Sequence, residues 1–259
     1  MLPVLLRIGS LAVYSYGVTL ALAFLACWAL GRWYLPRRGI DASAATDLLL
    51  AAAIGGIVGA RALYVLTNWD TYAANPVWIF MLQRGGMVFY GGLAGGALAV
   101  LGYVLWRRLS VSAIADGAAL AVPLGSAIGR IGCFLNGCCA GRSTSSWLGV
   151  TFPGGAGPVL PTQLIDSAAN LTIVAFLLFL ELRRRPRPGA LWWGFLALYG
   201  VTRFAVESIR TNPPLALGLS QGQWISIPVV LAGIAGLAAL SVRARRVKAT
   251  SAERNEAAR

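Results

Sequence analysis

Long apolar runs, separated by short polar stretches, make up most of this sequence. A membrane-spanning helix needs roughly 20 mostly apolar residues, and seven windows reach that length. They lie at about 11–30, 44–66, 86–106, 113–132, 164–182, 190–210 and 223–242. The pattern predicts an all-α integral membrane protein with seven transmembrane helices. We expect residues 1–242 to form a single transmembrane domain and residues 243–259 to form a basic, disordered cytoplasmic tail.

Glycines recur at helical spacing in two of these windows. Gly55, Gly56 and Gly59 lie in the second window, and residues 91–96 of the third window contain four glycines. Small residues one helical turn apart let two helices approach closely in lipid. We interpret both sets as packing surfaces.

Composition supports this class of protein and excludes others. Hydrophobic residues make up 58 % of the 259 residues and charged residues 12 %, whereas a soluble domain carries about 25 % charged residues. A net charge of +13 would suggest nucleic-acid binding in a soluble protein, but membrane proteins place such an excess in cytoplasmic loops. We therefore expect no nucleic-acid partner. The chain has no histidine, which excludes histidine-based acid–base catalysis and histidine-ligated metals.

The positions of the basic residues predict an orientation. With the N-terminus outside, 15 Arg and Lys residues fall in the inside segments and 3 in the outside segments. Arg and Lys are enriched in cytoplasmic segments. The N-terminus is therefore predicted to lie outside and the C-terminus in the cytoplasm, in a bacterial-type inner membrane.

The sixth window carries a polar stripe. Tyr199, Arg203, Glu207 and Arg210 fall within an arc of roughly 80° on one helix face. Arg203 lies about 20 Å into an apolar core of roughly 30 Å, toward the outer leaflet. Ionisable residues at this depth are candidates for a functional site. An ion pair between Arg203 and Glu207 that only fixes helix packing is the alternative, and it leaves Arg210 unexplained.

Four other windows bring polar groups to the same depth. These groups are Tyr16, Arg61, Tyr90 and Arg130. The planar guanidinium fork of arginine suits phosphate. Arg130 and the two arginines of the stripe, balanced by Glu207, predict a net-positive pocket for a phospholipid headgroup of the outer leaflet.

Residues 125–144 combine five glycines with three cysteines. Irregular backbone at membrane depth is tolerated where it is buried in protein or lines a cavity. We therefore predict a helix break here that forms the floor of a site. Cys133, Cys138 and Cys139 leave several interpretations open. A zinc site is one interpretation, but the spacing is not a standard one and the chain has no histidine. A disulfide would suit an oxidising compartment, and a thiol near arginine would be reactive. The fourth interpretation is that the cysteines are small buried residues that only pack.

Three motifs in the chain resemble those of the prolipoprotein diacylglyceryl transferase family. GRIGCFLNGCCAG, at 129–141, is similar to the family's glycine signature, and GGMVFYGG, at 85–92, to the segment around its essential histidine. The family pattern Y-G-x-x-R-x-x-V-E-x-x-R is intact at 199–210. Weaker matches cover 16–17, 59–64, 161–164 and 222–228, so the resemblance extends over nearly the whole chain.

This resemblance implies an activity and its partners. The family transfers a diacylglyceryl group from phosphatidylglycerol to the lipobox cysteine thiol of a prolipoprotein signal peptide and releases glycerol phosphate. It acts at the outer face of the cytoplasmic membrane, within the lipid bilayer, and uses no metal or other cofactor. The implied catalytic residues are Tyr90, Arg130, Arg203 and Glu207. The implied residues for headgroup binding and pocket shape are Tyr16, Arg61, Asn136, Gly141, Tyr199 and Arg210.

The chain departs from the family pattern at three positions. Tyr90 stands where the family has its histidine, Cys133 where it has an asparagine, and Cys138 where it has a glutamate. A phenol is a weak base near neutral pH, so Tyr90 would need a neighbouring arginine to stabilise its anion. Otherwise positioning and phosphate stabilisation would carry the rate.

Other functions stay open at this point. A divergent paralogue would bind or move outer-leaflet phospholipid, or modify another acceptor, without the lipoprotein reaction. A redox-linked membrane enzyme would use the three cysteines. A solute transporter has little support, because no inverted repeat is visible.

Overall fold

The computed structural model describes residues 2–9 and 11–257 of the chain, and this part is mostly helical. Short 3-10 helices at 35–38, 76–80 and 82–84 connect some of the longer elements. The α-helices, in chain order, are α1 (Ser15–Tyr34), α2 (Ala44–Thr67), α3 (Trp69–Ala74), α4 (Phe89–Trp106), α5 (Val111–Asn136), α6 (Thr162–Arg184), α7 (Ala190–Glu207) and α8 (Gln221–Ala257).

Six of these helices are long and apolar enough to cross a membrane: α1, α2, α4, α5, α6 and α8. The protein is therefore a mostly helical membrane protein. Helix α7 has 18 residues but is not among the six within the described residues, since Arg203 and Glu207 reduce its mean hydropathy. The seventh span and the orientation stay predictions.

The N-terminal segment forms a β-hairpin before the first helix begins. Strands β1 (Val4–Ile8) and β2 (Leu11–Tyr14) pair antiparallel. Gly9, which follows β1, has a φ of 61°, a conformation that glycine adopts at little cost. Helix α1 therefore starts at Ser15 and not at residue 11, where the apolar window begins. Apolar content alone does not separate a strand from a helix.

Two further two-stranded hairpins lie between the later helices. Strands β3 (Val150–Thr151) and β4 (Pro158–Val159) pair antiparallel, and they precede α6. Strands β5 (Pro214–Ala216) and β6 (Leu219–Ser220) pair antiparallel and lead directly into α8.

Residues 28–114 form one of two compact units of the chain, and residues 1–27 with 115–259 form the other. In the first unit, α2 and α4 approach to backbone distance. A Cβ added to Gly59 would lie 2.7 Å from the Cα of Gly95, and one added to Gly55 would lie 2.6 Å from the Gly95 carbonyl oxygen. The two glycine sets that predicted close packing therefore pack against each other.

In the second unit, α7 is fixed at its start and along its length. Asp116 of α5 is fully buried, and its carboxylate accepts hydrogen bonds from the backbone N–H groups of Gly189 at 2.7 Å and Trp192 at 2.9 Å. A carboxylate is favourable at a helix N-terminus. Along the helix, a Cβ on Gly233 of α8 would lie 2.5 Å from the backbone nitrogen of Ala197. The position of α7, and with it that of the polar stripe, is therefore fixed by α5 and α8 together.

The last helix continues beyond its apolar part. The backbone of α8 is helical to Ala257, through most of the segment for which we expected a disordered tail. Residues 258–259 of that tail lie outside the described residues. A separate tail at 243–259 stays a prediction.

Candidate functional site

The C-terminal end of α7 carries a network of three charged side chains. Oε2 of Glu207 lies 2.6 Å from Nη2 of Arg203 and 4.0 Å from Nε of Arg210. Oε1 of the same carboxylate accepts hydrogen bonds from the Ser220 hydroxyl, at 3.0 Å, and from the Asn212 amide. Only 1 % of the Glu207 side chain is exposed. The carboxylate is held from several sides; it pairs directly with Arg203 and lies within ion-pair distance of Arg210.

Two donors of this network have no hydrogen-bond partner in the described residues: Nη1 of Arg203 and Nε of Arg210, the second of which lies 4.0 Å from Glu207. Nη1 of Arg203 is buried and makes no hydrogen bond within the described part of the chain. Buried polar groups are almost always hydrogen-bonded, and an unsatisfied one costs about 1–3 kcal/mol, or more when charged. A guanidinium in this state is suited to an anionic ligand with several oxygen acceptors.

Arg130 of α5 is paired with a carboxylate that the sequence reasoning missed. Its Nε lies 2.8 Å from Oδ2 of Asp166 on α6. Oδ1 of Asp166 accepts a hydrogen bond from the Asn170 amide at 3.0 Å. A signal existed, because Asp166 is an ionisable residue inside an apolar window. We expected Glu207 alone to balance three arginines; two carboxylates do so, which leaves a formal charge of +1.

Residues 137–142, which we call the glycine–cysteine loop, begin where α5 ends at Asn136. Gly137 has a φ of 77°, a left-handed conformation that turns the chain back. The N–H of Cys138 then donates to the carbonyl of Cys133 at 3.1 Å. The helix break predicted for this segment is therefore present.

The start of α6 holds this loop in place. The Thr162 hydroxyl donates to the carbonyl of Cys139 at 2.9 Å, and the Gln163 amide donates to the carbonyl of Cys138 at 2.6 Å. Both donor side chains are 1 % exposed. These two residues also escaped the sequence reasoning, because nothing in their spacing shows which backbone carbonyls they meet.

Gly141 joins the glycine–cysteine loop to the end of α7. It forms an antiparallel bridge with Arg210, and the N–H of Arg142 donates to the carbonyl of Ile209 at 3.1 Å. A Cβ on Gly141 would lie 2.5 Å from the Thr162 methyl group and 2.7 Å from the Ile209 carbonyl oxygen. The structure thus brings Gly141 to Arg210, in a space that only glycine fills without a shift.

Three more of the predicted site residues lie on the same unit. Tyr16, at the start of α1, is 45 % exposed, and its ring would be 3.3 Å from a Cβ on Gly132 of α5. Tyr199 packs on the ring of Phe195, with centroids 5.4 Å apart, one turn before the charged network. Asn136 is exposed at the last position of α5.

Arg61 lies in the other unit and is 5 % exposed. An arginine has five N–H donors, and here five hydrogen bonds of 2.5–3.2 Å use them. The acceptors are the backbone carbonyls of Trp78, Ile79, Met81, Gly85 and Gly86. We predicted a headgroup contact for Arg61, but this geometry favours a different role, because no donor remains for a phosphate. Arg61 holds the connection between α3 and α4.

Tyr90 follows that connection, at the second position of α4. Its side chain is 47 % exposed, and its ring meets the edge of Phe89 at 5.7 Å between centroids. The N–H of Val88 donates to the carbonyl of Ala60 at 3.1 Å, next to Arg61 on α2. The start of α4 is therefore tied to α2, and a chemical role for Tyr90 stays a prediction.

Comparison with known proteins gives a consistent result. Residues 3–239 match the family profile of prolipoprotein diacylglyceryl transferase. A phosphatidylglycerol–prolipoprotein diacylglyceryl transferase of Geobacter sulfurreducens is 37 % identical over 242 residues, covering 90 % of this chain and 92 % of that protein. The enzymes of the same name from Aliivibrio fischeri and Bordetella parapertussis are each 39 % identical. They cover 98 % and 93 % of this chain, and 92 % and 95 % of their own lengths.

Proposed function

The chain belongs to the prolipoprotein diacylglyceryl transferase family, and we propose that it transfers the diacylglyceryl group of phosphatidylglycerol to the lipobox cysteine thiol of prolipoproteins. Glycerol phosphate is the second product, and the reaction is a step of lipoprotein maturation. The observation that carries this proposal is the buried Nη1 of Arg203, which has no protein partner in the described residues. The phosphodiester of phosphatidylglycerol supplies the acceptor oxygens that this donor needs.

The transfer forms one bond and breaks one. The thiolate sulfur attacks the carbon of the diacylglyceryl group that carries the phosphate, and the bond between this carbon and the phosphate oxygen breaks. Glycerol phosphate leaves with the bonding electrons, so negative charge grows on its oxygens. Donors that are fixed in advance stabilise such charge most effectively. Arg130, Arg203 and Arg210 supply them.

Two carboxylates position these arginines. Glu207 holds Arg203 and Arg210, and Asp166 holds Arg130. A guanidinium held in one orientation loses less freedom when the phosphate binds, which is how preorganisation improves binding.

The remaining residues of the site shape it or complete its hydrogen bonding. Tyr16 and Tyr199 supply phenolic hydroxyls for the headgroup. Asn136 and Gly141 shape the lipid pocket at the glycine–cysteine loop. Arg61 positions the segment that precedes Tyr90 by holding its carbonyls.

Tyr90 stands at the family's base position and takes the thiol proton when an arginine stabilises its phenolate. If the proton leaves by another route, positioning and phosphate stabilisation carry the rate. The two routes differ in what removal of the phenolic hydroxyl does, so one substitution separates them.

The site faces the outer leaflet of a bacterial cytoplasmic membrane in this proposal. Helix α7 is the seventh span, with the N-terminus outside and the C-terminus in the cytoplasm. Its polar stripe is sheltered by α8 and by the loops, which supports a helix that tolerates charge inside a membrane. The distribution of basic residues supports the orientation.

The test is a transfer assay with purified protein, labelled phosphatidylglycerol and a lipobox peptide. We expect the peptide cysteine to gain the mass of one diacylglyceryl group, and the gain to disappear in Arg203→Ala. Loss of transfer in Tyr90→Phe would support the base role, and retained transfer would remove it while keeping the enzyme. A folded protein that binds phosphatidylglycerol without transfer would contradict the proposal and favour a lipid-binding paralogue.

A further inference from the structure

Three cysteine sulfurs converge at the end of α5. The Sγ atoms of Cys133, Cys138 and Cys139 all lie within 4.8 Å of one another. Cys133 belongs to α5, and the other two belong to the glycine–cysteine loop. None of the three is in a disulfide. The function proposed above assigns no role to this cluster.

The backbone brings these sulfurs together through two left-handed residues. Gly137 has a φ of 77° and Cys139 a φ of 64°. A residue other than glycine rarely adopts such a φ, and the conformation costs roughly 1–3 kcal/mol unless the surroundings impose it. Here they do impose it, because Thr162 and Gln163 hold the carbonyls of Cys139 and Cys138. The convergence is therefore built into the fold.

We propose that Cys133, Cys138 and Cys139 bind one thiophilic metal ion, Zn²⁺ or Cu⁺, through their three sulfurs. A metal–sulfur bond of about 2.3 Å places three sulfurs about 4 Å apart. The observed spacing therefore needs to close by no more than about 1 Å. A disulfide would bring two sulfurs to about 2 Å and would leave the third unused. Thiolates are the ligands that select these ions.

The sulfur cluster is accessible to an ion. Cys139 is exposed and the other two are half-buried, so an ion has a path to the sulfurs. Binding would release the thiol protons to solvent, since only the thiolate is a ligand. Ion binding is measured without lipid, so its outcome is independent of whether the protein is a transferase.

The test is a titration of reduced, detergent-solubilised protein with Cd²⁺, followed through its ultraviolet charge-transfer band with sulfur. We expect one ion per chain, displaced by Zn²⁺. Cys27→Ser is the matched control, because Cys27 lies on α1 and donates to the carbonyl of Ala121; it should bind as the wild type does. Cys139→Ser and Cys138→Ser should each weaken binding by more than about 100-fold, beyond the 10–100-fold for losing a partner that only orients a ligand.

Two results would overturn the proposal. One is equal Cd²⁺ affinity in the wild type and in folded Cys139→Ser, because that ion would not need the cluster. The other is a disulfide joining two of the three cysteines, found by mass spectrometry in protein isolated from membranes without reductant. Free thiols together with one equivalent of zinc or copper in the same preparation would support the site. Using both Cys138→Ser and Cys139→Ser keeps the test decisive if one variant does not fold.

Discussion

Two helix pairs, α2 with α4 and α7 with α8, pack closely through glycines. They differ in the groups that lie at their ends. In the first pair, Gly59 and Gly95 let two backbones touch. In the second pair, Gly233 does the same against Ala197. Only the second pair ends in a buried charged network, which takes partners from the segment that leads into α8. Glycine contacts hold the helices together in both pairs, but the charged network of α7 also uses Asn212 and Ser220, which lie beyond that helix.

The largest effect is expected where the second pair differs from the first. Arg203→Lys keeps a positive charge but loses the guanidinium fork, including the buried Nη1. Removing one preorganised donor from a developing anion costs about 10²–10³ in rate. We expect transfer to fall by about this factor, measured with the lipobox-peptide assay, at an unchanged melting temperature.

The matched control for this substitution is Arg183→Lys, on an exposed arginine in the last turn of α6. It should transfer as the wild type does. Full activity in Arg203→Lys would show that any cation suffices at this position. The buried Nη1 of Arg203 would then have no special role in transfer, and the two helix pairs would differ in charge alone.

The next effect tests the first pair. In Gly95→Ala the added methyl group meets the backbone of α2, 2.7 Å from the Cα of Gly59. Overpacking of this kind costs about 1–3 kcal/mol, so we expect a lower melting temperature in detergent. Gly102→Ala, on the same helix with nothing within 4 Å of its Cβ, should melt as high as the wild type or higher, because alanine favours helix over glycine. Equal melting of the two variants would show that the α2–α4 contact does not limit stability.

These two pairs also show what the sequence could and could not predict. The packing glycines were readable, because a spacing of one helical turn is a property of the helix itself. The stripe from Arg203 to Arg210 was readable for the same reason. Asp166, Thr162 and Gln163 were missed, because their partners lie 20 to 40 residues away in the sequence. Only the folded chain brings them into contact.

The boundaries of the helices were also predictable in part. The windows located α2, α4 and α6 to within a few residues, since lipid demands a minimum apolar length. The hairpin at 4–14 was missed, because its apolar residues suit either a strand or a helix. For Arg61 the structure favours another role than the predicted headgroup contact. The depth of Arg61 was predicted, but five backbone acceptors from the following connection were not.

Asp166 provides a smaller effect that separates positioning from packing. Asp166→Asn keeps an oxygen acceptor but removes the charge that faces Nε of Arg130 at 2.8 Å. We expect transfer to fall about tenfold, equivalent to about 1.4 kcal/mol, because Arg130 is less firmly oriented. Initial rates over a range of phosphatidylglycerol concentrations measure it. The control is Asp70→Asn, on an exposed aspartate of α3; an equal loss in both variants would contradict a role through Arg130.

The smallest effect is expected at Gly222, where helix packing and the charged network are in contact. Gly222 is at the start of α8, and a Cβ there would lie 2.6–2.8 Å from the carboxylate atoms of Glu207. Unlike Gly95, it faces the end of a side chain and not a backbone, so the helices need not move apart. Gly222→Ala should therefore leave the melting temperature nearly unchanged. The carboxylate itself cannot shift without disturbing Arg203 and Ser220, so we expect transfer to fall about threefold, or roughly 0.6 kcal/mol. A large loss of stability with normal transfer by the folded fraction would instead assign Gly222 to helix packing, as in the α2–α4 pair.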